Sequence, residues 1–197
     1  VVLDPLQGEM HSRRLDAGPV IDAAVIDKSG LVACVDDKGN AHIIPEGNGK
    51  PIKVAMDFTT ISSVTKAKRN NHFYLATKEG YVLNLNHSGE VTDTITSIAH
   101  LVIRKIRLSP DKRWLAIAYK EKSTKKERIV LYDMQKDTSM LISKYYEAGS
   151  SMRFTDACKL IYAERDNSIK IYDPCMQKKK TLKGIRQNVM FSDWHEQ

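Results

Sequence analysis

Residues 114–133 read WLAIAYKEKSTKKERIVLYD: an apolar run, a polar stretch, then a second apolar run that closes on Tyr132-Asp133. The pattern recurs as LVACVDDKGNAHII at 31–44, FYLATKEGYVLNL at 73–85 and KLIYAERDNSIKIYD at 159–173. The closing positions Ile44, Leu85, Tyr132 and Tyr172 lie 41, 47 and 40 residues apart. A period of about 40–45 residues made only of strand and turn signals is the mark of propeller blades.

Working outward, β-branched and alternating segments dominate, as in Val20–Ile26, Tyr81-Val82-Leu83, Ile129-Val130-Leu131 and Ile169-Lys170-Ile171. Turn signals separate them, among them Ser29-Gly30, Lys38-Gly39, Asn70-Asn71, Ser88-Gly89 and Ser109-Pro110-Asp111. No segment sustains a helical period of 3.6. Each copy parses into four antiparallel strands. In the third these are Ile103–Leu108, Trp114–Tyr119, Ile129–Tyr132 and Met140–Lys144. The expected fold is all-β, a propeller of four-stranded antiparallel blades. The whole chain, 1–197, is expected to be one propeller region. Its complete blades span 19–58, 59–99, 100–147 and 148–183, with the end of a blade at 1–18 and the start of another at 184–197. A blade cannot bury both faces alone, so blades stack around an axis, and closure of the ring removes exposed edges. The split blade lacks a second strand. Either the chain is part of a larger propeller, the reading preferred here, or it is a small or open ring that a partner strand completes.

At SPDKRWLAIAY (109–119) with IVLYD (129–133), and at RDNSIKIYD (165–173), the chain resembles the WD-repeat propeller family. Tyr132-Asp133 and Tyr172-Asp173 hold the place of that family's Trp-Asp. The resemblance covers nearly the whole chain in rhythm, but only the third and fourth copies in residue detail. There is no Gly-His and no Trp-Asp dipeptide. Asp166 matches the family's structural Asp, but the His that it would bond is missing before copy four. The resemblance therefore implies a divergent propeller that lacks most of those internal networks. From such folds it implies a non-catalytic scaffold for protein partners, serving as a module of a larger protein or complex.

Bulk properties narrow the alternatives. No apolar stretch approaches the roughly 18 residues of a membrane span, and the N-terminus shows no signal-peptide pattern. Cys34, Cys158 and Cys175 are odd in number and not closely spaced, which argues against a disulfide framework. The expected setting is intracellular, cytoplasmic or nuclear, with Cys34 and Cys158 as reduced thiols in or beside strands. The net charge of +7 permits an acidic partner without requiring one.

Reactive constellations are weak. None of the six histidines pairs with another at ligand spacing and no Cys-x-x-Cys occurs, so no metal or cofactor is expected. The histidines read as turn or strand-surface residues. There is no Gly-x-Ser-x-Gly elbow. Asp36-Asp37-Lys38-Gly39 reads as a hairpin turn. Gly47-Asn48-Gly49-Lys50 lacks the spacing and the following Ser/Thr of a phosphate loop. No enzyme activity is expected. The strongest functional hint is basic: Lys120, Lys122, Lys125, Lys126 and Arg128 interrupt the third copy between its second and third strands and account for the 47-residue step. Insertions in repeats map to loops on one face. The two readings are a solvated hairpin and a binding loop for a polyanion, either nucleic acid or an anionic lipid surface. Lys66, Lys68 and Arg69, with Lys178–Lys180, fall on the opposite face.

Overall fold

The computed structural model describes residues 2–3, 10–11, 18–26, 29–47, 49–56, 60–98, 100–143, 152–164, 166 and 168–182. They hold eighteen strands, and no helix occurs among the described residues. A short antiparallel ribbon comes first, β1 (Val2–Leu3) with β2 (Met10–His11). Four four-stranded meanders follow. The first is β3 (Val20–Ile26), β4 (Leu31–Asp36), β5 (Ala41–Ile44) and β6 (Ile52–Lys53). The second is β7 (Ile61–Lys66), β8 (Phe73–Thr77), β9 (Tyr81–Leu85) and β10 (Val91–Ser97). The third is β11 (Leu101–Leu108), β12 (Trp114–Glu121), β13 (Glu127–Asp133) and β14 (Thr138–Ser143). The fourth is β15 (Met152–Phe154), β16 (Leu160–Ala163), β17 (Ile169–Asp173) and β18 (Lys178–Leu182). Each sheet is ordered as its strands occur in the chain, all antiparallel, which is the build of a propeller blade. The start of a further blade expected at 184–197 lies outside the described residues.

Burial explains the stacking. β4 and β8 are buried along their whole length, as is Trp114–Tyr119 of β12, because a blade's second strand is covered on both faces. The outermost β10 and β18 are largely exposed. β18 is blunted as an edge by Lys178, Lys179 and Lys180. Three apolar cores lie between successive blades. Ala33, Val35 and Ile43 of the first meet Ile61, Val64, Phe73 and Leu75 of the second. Tyr74, Ala76 and Val82 of the second meet Ile103, Ile106, Leu115 and Ile117 of the third. Ala116, Ala118, Ile129 and Leu131 of the third meet Met152, Leu160, Tyr162 and Tyr172 of the fourth. Small side chains on one sheet receive bulkier ones from the next, which lets the blades approach closely.

One difference from the sequence reading has a physical cause. The basic segment is not a nine-residue loop: β12 continues to Glu121 and β13 begins at Glu127, with Lys120 opposite Glu127 and Tyr119 opposite Arg128. Opposite charges across the ladder support strand where a run of charge looked like loop. Cys158 lies beside a strand, two residues before β16. It sits half-exposed in the turn between β15 and β16 at φ 56°, with its N–H donating to Thr155 O at 2.9 Å. Lys112 holds the same place in the third blade, at φ 60° and with its N–H on Ser109 O at 2.8 Å. Ser109 completes that turn by accepting the Trp114 N–H at 2.9 Å and donating to Asp111.

Candidate functional site

The innermost strands carry the densest polar cluster. β3, β7 and β11 each break register once, between Val20 and Asp22, between Ile61 and Ser63, and between Ile103 and Lys105. A bulge bends a strand and re-aims its side chains. It recurs at the same place in three blades, so Asp22 and Ser63 occupy equivalent positions one repeat apart. Arg107 comes in from β11. Its Nη2 donates to Asp22 Oδ1 at 2.8 Å and its Nη1 to Asp22 Oδ2 at 3.0 Å, a bidentate pair. The same Nη1 lies 2.7 Å from Ile106 O and 3.3 Å from Val64 O. Ser63 donates its hydroxyl to the Asp22 carboxylate and accepts the Ile106 N–H at 3.1 Å. The Val64 N–H donates to Asp22 Oδ2 at 3.1 Å. With the Asp22 side chain 8% exposed, burial would be costly without these partners. One carboxylate, one hydroxyl and one guanidinium thus tie together three blades. The Ser63 proton is held by a carboxylate and the carboxylate by a cation, which makes the cluster a lock rather than a nucleophile.

A second cluster sits in the first blade. Asp36, at the end of β4, accepts the N–H groups of Lys38 at 3.0 Å and Asn40 at 2.8 Å, and the Asn40 amide at 2.8 Å. His42 Nε2 lies 3.3 Å from Asp36 Oδ2, the oxygen that also accepts the Asn40 amide. Burial pushes the Asp36 carboxyl up, but the bonds from Asn40 and His42 outweigh it and hold it at about 2. His42 is buried in β5, not on a strand surface, because Asp36 gives its ring a partner. Cys34 is the cross-strand neighbour of His42. Cysteine, histidine and aspartate together are the ingredients of a thiol nucleophile. Here, however, burial and then Asp36 raise the Cys34 pKa, the reverse of activation. Among the described residues no three His, Cys, Asp or Glu side chains are grouped to hold a metal ion.

The basic hairpin divides. Lys120 is half-buried in β12. Arg128, in β13, places Nε 2.9 Å from Glu121 Oε1, near enough for an ion pair but not aligned as a hydrogen bond. Lys122, Lys125 and Lys126 stand exposed at the tip. The tip is ordered by the Lys125 N–H on Glu121 O at 3.0 Å and by Thr124 donating to the Glu121 carboxylate. Two of the five cations are therefore built into the sheet and three are presented. On the opposite face Lys112 Nζ reaches Lys68 O at 3.3 Å, which joins the turns of the second and third blades.

One feature escaped the reading of the residues. β3 was legible as a strand, yet its alternation did not say what covers it. Val20, which matches Ile61 and Ile103 in register, is 51% exposed, while those two are 2% and 0% exposed. Its neighbours Ile21 and Val25 are also exposed. The match with Ile61 and Ile103, each covered by the blade before it, was the available signal.

No family model matches the chain, and no curated protein matches it in sequence. Solved structures do match in fold. A chain of the nidogen/laminin complex aligns with TM-score 0.66 and 12% identity, over 85% of this chain and 66% of that one. Hydrazine synthase of Kuenenia stuttgartiensis aligns with TM-score 0.61 and 13% identity, over 83% of this chain and 53% of that one. The chain thus spans just under two-thirds and about half of these neighbours. The class is established as a β-propeller, built here of four four-stranded blades. At such identities the likeness is one of fold.

Proposed function

We propose that the chain is a non-catalytic protein–protein interaction scaffold, a divergent WD-repeat-like module of a larger protein or complex. The observation that carries this reading is the exposure of three apolar side chains on β3, Val20, Ile21 and Val25, with Val20 at a register that the second and third blades bury. Isolated surface apolar residues are ordinary, but a contiguous strip on one strand is suited to another polypeptide surface. The polar groups that chemistry would need, Asp22, Ser63, Arg107, Asp36 and His42, are engaged with one another. One neighbour in fold comes from a complex of two proteins, in keeping with such a role. A rigid blade array also presents its loops and faces with little ordering cost on binding. We place the module inside the cell, cytoplasmic or nuclear, because Cys34, Cys158 and Cys175 are all free thiols.

The test is affinity capture with the full chain, run beside a Val20→Asp/Ile21→Asp variant and a Lys122→Ala/Lys125→Ala/Lys126→Ala/Arg128→Ala variant. A stable protein partner should be lost with the first variant and kept with the second. Capture that is indifferent to the β3 changes would overturn the reading. Retention on RNA or anionic vesicles that falls with salt and vanishes with the hairpin cations would replace it with polyanion binding.

A further inference from the structure

Ile21, Ala23 and Val25 alternate along β3, so they share one face of the strand, and all three are exposed. The bulge recurs in the next two blades, which fixes their counterparts. Ala23 pairs with Cys34, Val64 with Leu75 and Ile106 with Ile117, each one residue past the first pair after the bulge. Val20 belongs to the same face, because its counterparts Ile61 and Ile103 lie in the same cores as Val64 and Ile106. Side-chain size is where the first blade departs from the repeat. Val64 and Ile106 are both 0% exposed, in cores shared with the blade before. There the covering sheet brings small side chains, Val35 over the second blade and Ala76 over the third, against bulky ones. Ala23 lacks the branched side chain that fills this place in both. The covering surface must then supply the missing volume, since interiors are close-packed. Another blade of this repeat does not supply it. The fourth blade carries Ala163 where the third carries Ala118, so a second copy stacked end to end would set alanine on alanine.

We propose that β3 carries a notch for one bulky apolar side chain of a protein partner, leucine, isoleucine, methionine or phenylalanine, with Ala23 as its floor and Val20, Ile21 and Val25 as its walls. This rests on the interaction reading above and sharpens it: the strand recognises an anchor of a given shape, not apolar surface in general. A single side chain seated in a small pocket commonly carries much of an interface's binding energy. The walls gain on the same contact, since Val20 is 51% and Val25 37% exposed and both would leave water. The notch is also preformed. Asp22, on the opposite face of the strand, is fastened to Ser63 and Arg107, so β3 is held from behind and little ordering is needed on binding.

The experiment fills the notch from within. The protein captured by the wild-type full chain is purified and titrated against the wild type, Ala23→Ile and Ala23→Val. Both substitutions give β3 the kind of residue its counterparts carry and suit an exposed strand position, so the thermal transition should hold. Apparent affinity should fall about tenfold or more with Ala23→Ile, as expected when one large apolar side chain loses its seat. Ala23→Val should cause a smaller loss. Both losses are expected although the surface has become more apolar, the opposite of what general stickiness gives. Unchanged or tighter binding by Ala23→Ile, with Val20→Asp/Ile21→Asp still abolishing capture, would overturn the notch and leave the interaction reading standing. Capture of a second copy of the chain on this face would also overturn it. Capture indifferent to every β3 change, or no captured protein at all, would overturn both. Ala23→Val decides the matter if Ala23→Ile fails to fold.

Discussion

Arg107 sits at the hub with its side chain 25% exposed, its guanidinium on both oxygens of Asp22 and on two backbone carbonyls. Lys122, Lys125 and Lys126 stand exposed at the tip of a hairpin on the same blade. In the sequence the second group draws the eye, because the cations cluster. In the folded chain the lone arginine has the greater structural role, because its partners come from two other blades. Charge density along a chain marks solvated surface as readily as it marks function. Coordination by distant residues marks a cation the fold depends on.

Arg107→Ala should break this contrast most sharply. Removing one partner of a partly buried bidentate pair leaves the Asp22 charge uncompensated, at a cost of about 2–4 kcal/mol, read from the denaturation midpoint. A midpoint within error of the wild type would put Arg107 in the same class as the tip lysines. Ser63→Ala comes next. It removes a donor to Asp22 and leaves the Ile106 N–H unpaired, worth about 1–2 kcal/mol in the same assay. Acid titration extends the comparison to the first blade. The Asp36 carboxyl is held at about 2, below the ordinary carboxylate value of about 3.9. Its contribution is fully present above that ordinary value and is lost as pH falls from about 4 to about 2, a change of about 1–2 kcal/mol. Asp36→Asn should flatten that part of the stability curve, and an unaltered slope would assign it to other carboxylates. Smallest of all, Lys122→Ala/Lys125→Ala/Lys126→Ala together should shift stability by less than about 0.5 kcal/mol. A larger loss would mean that the tip supports the blade.

The all-β blade architecture was readable because stacking demands a regular pattern: apolar second strands, turn residues between them, and a period set by one blade. The hub was not, and particular residues show why. Asp22 interrupts the apolar run VIDAAVI and looks like one polar position on a strand face. Its partners are Ser63 and Arg107, 41 and 85 positions away, beyond any local window. A faint signal existed, since Asp22 and Ser63 are one repeat apart. His42 was misjudged for a similar reason: only the pairing of β4 with β5 brings its ring to Asp36. Lys120 and Arg128 looked like loop because charge is common in loops, yet the cross-strand acids Glu127 and Glu121 let the ladder run through them.

The amino-acid order by itself determined the repeat, the strand content and the positions of the turns, because these follow from local propensity and from the period at which apolar faces recur. Only the tertiary structure decided which charges matter. A carboxylate, a hydroxyl and a guanidinium from three blades can share one desolvated point only after the inner strands converge, and neighbours in the chain cannot foretell which groups will meet there.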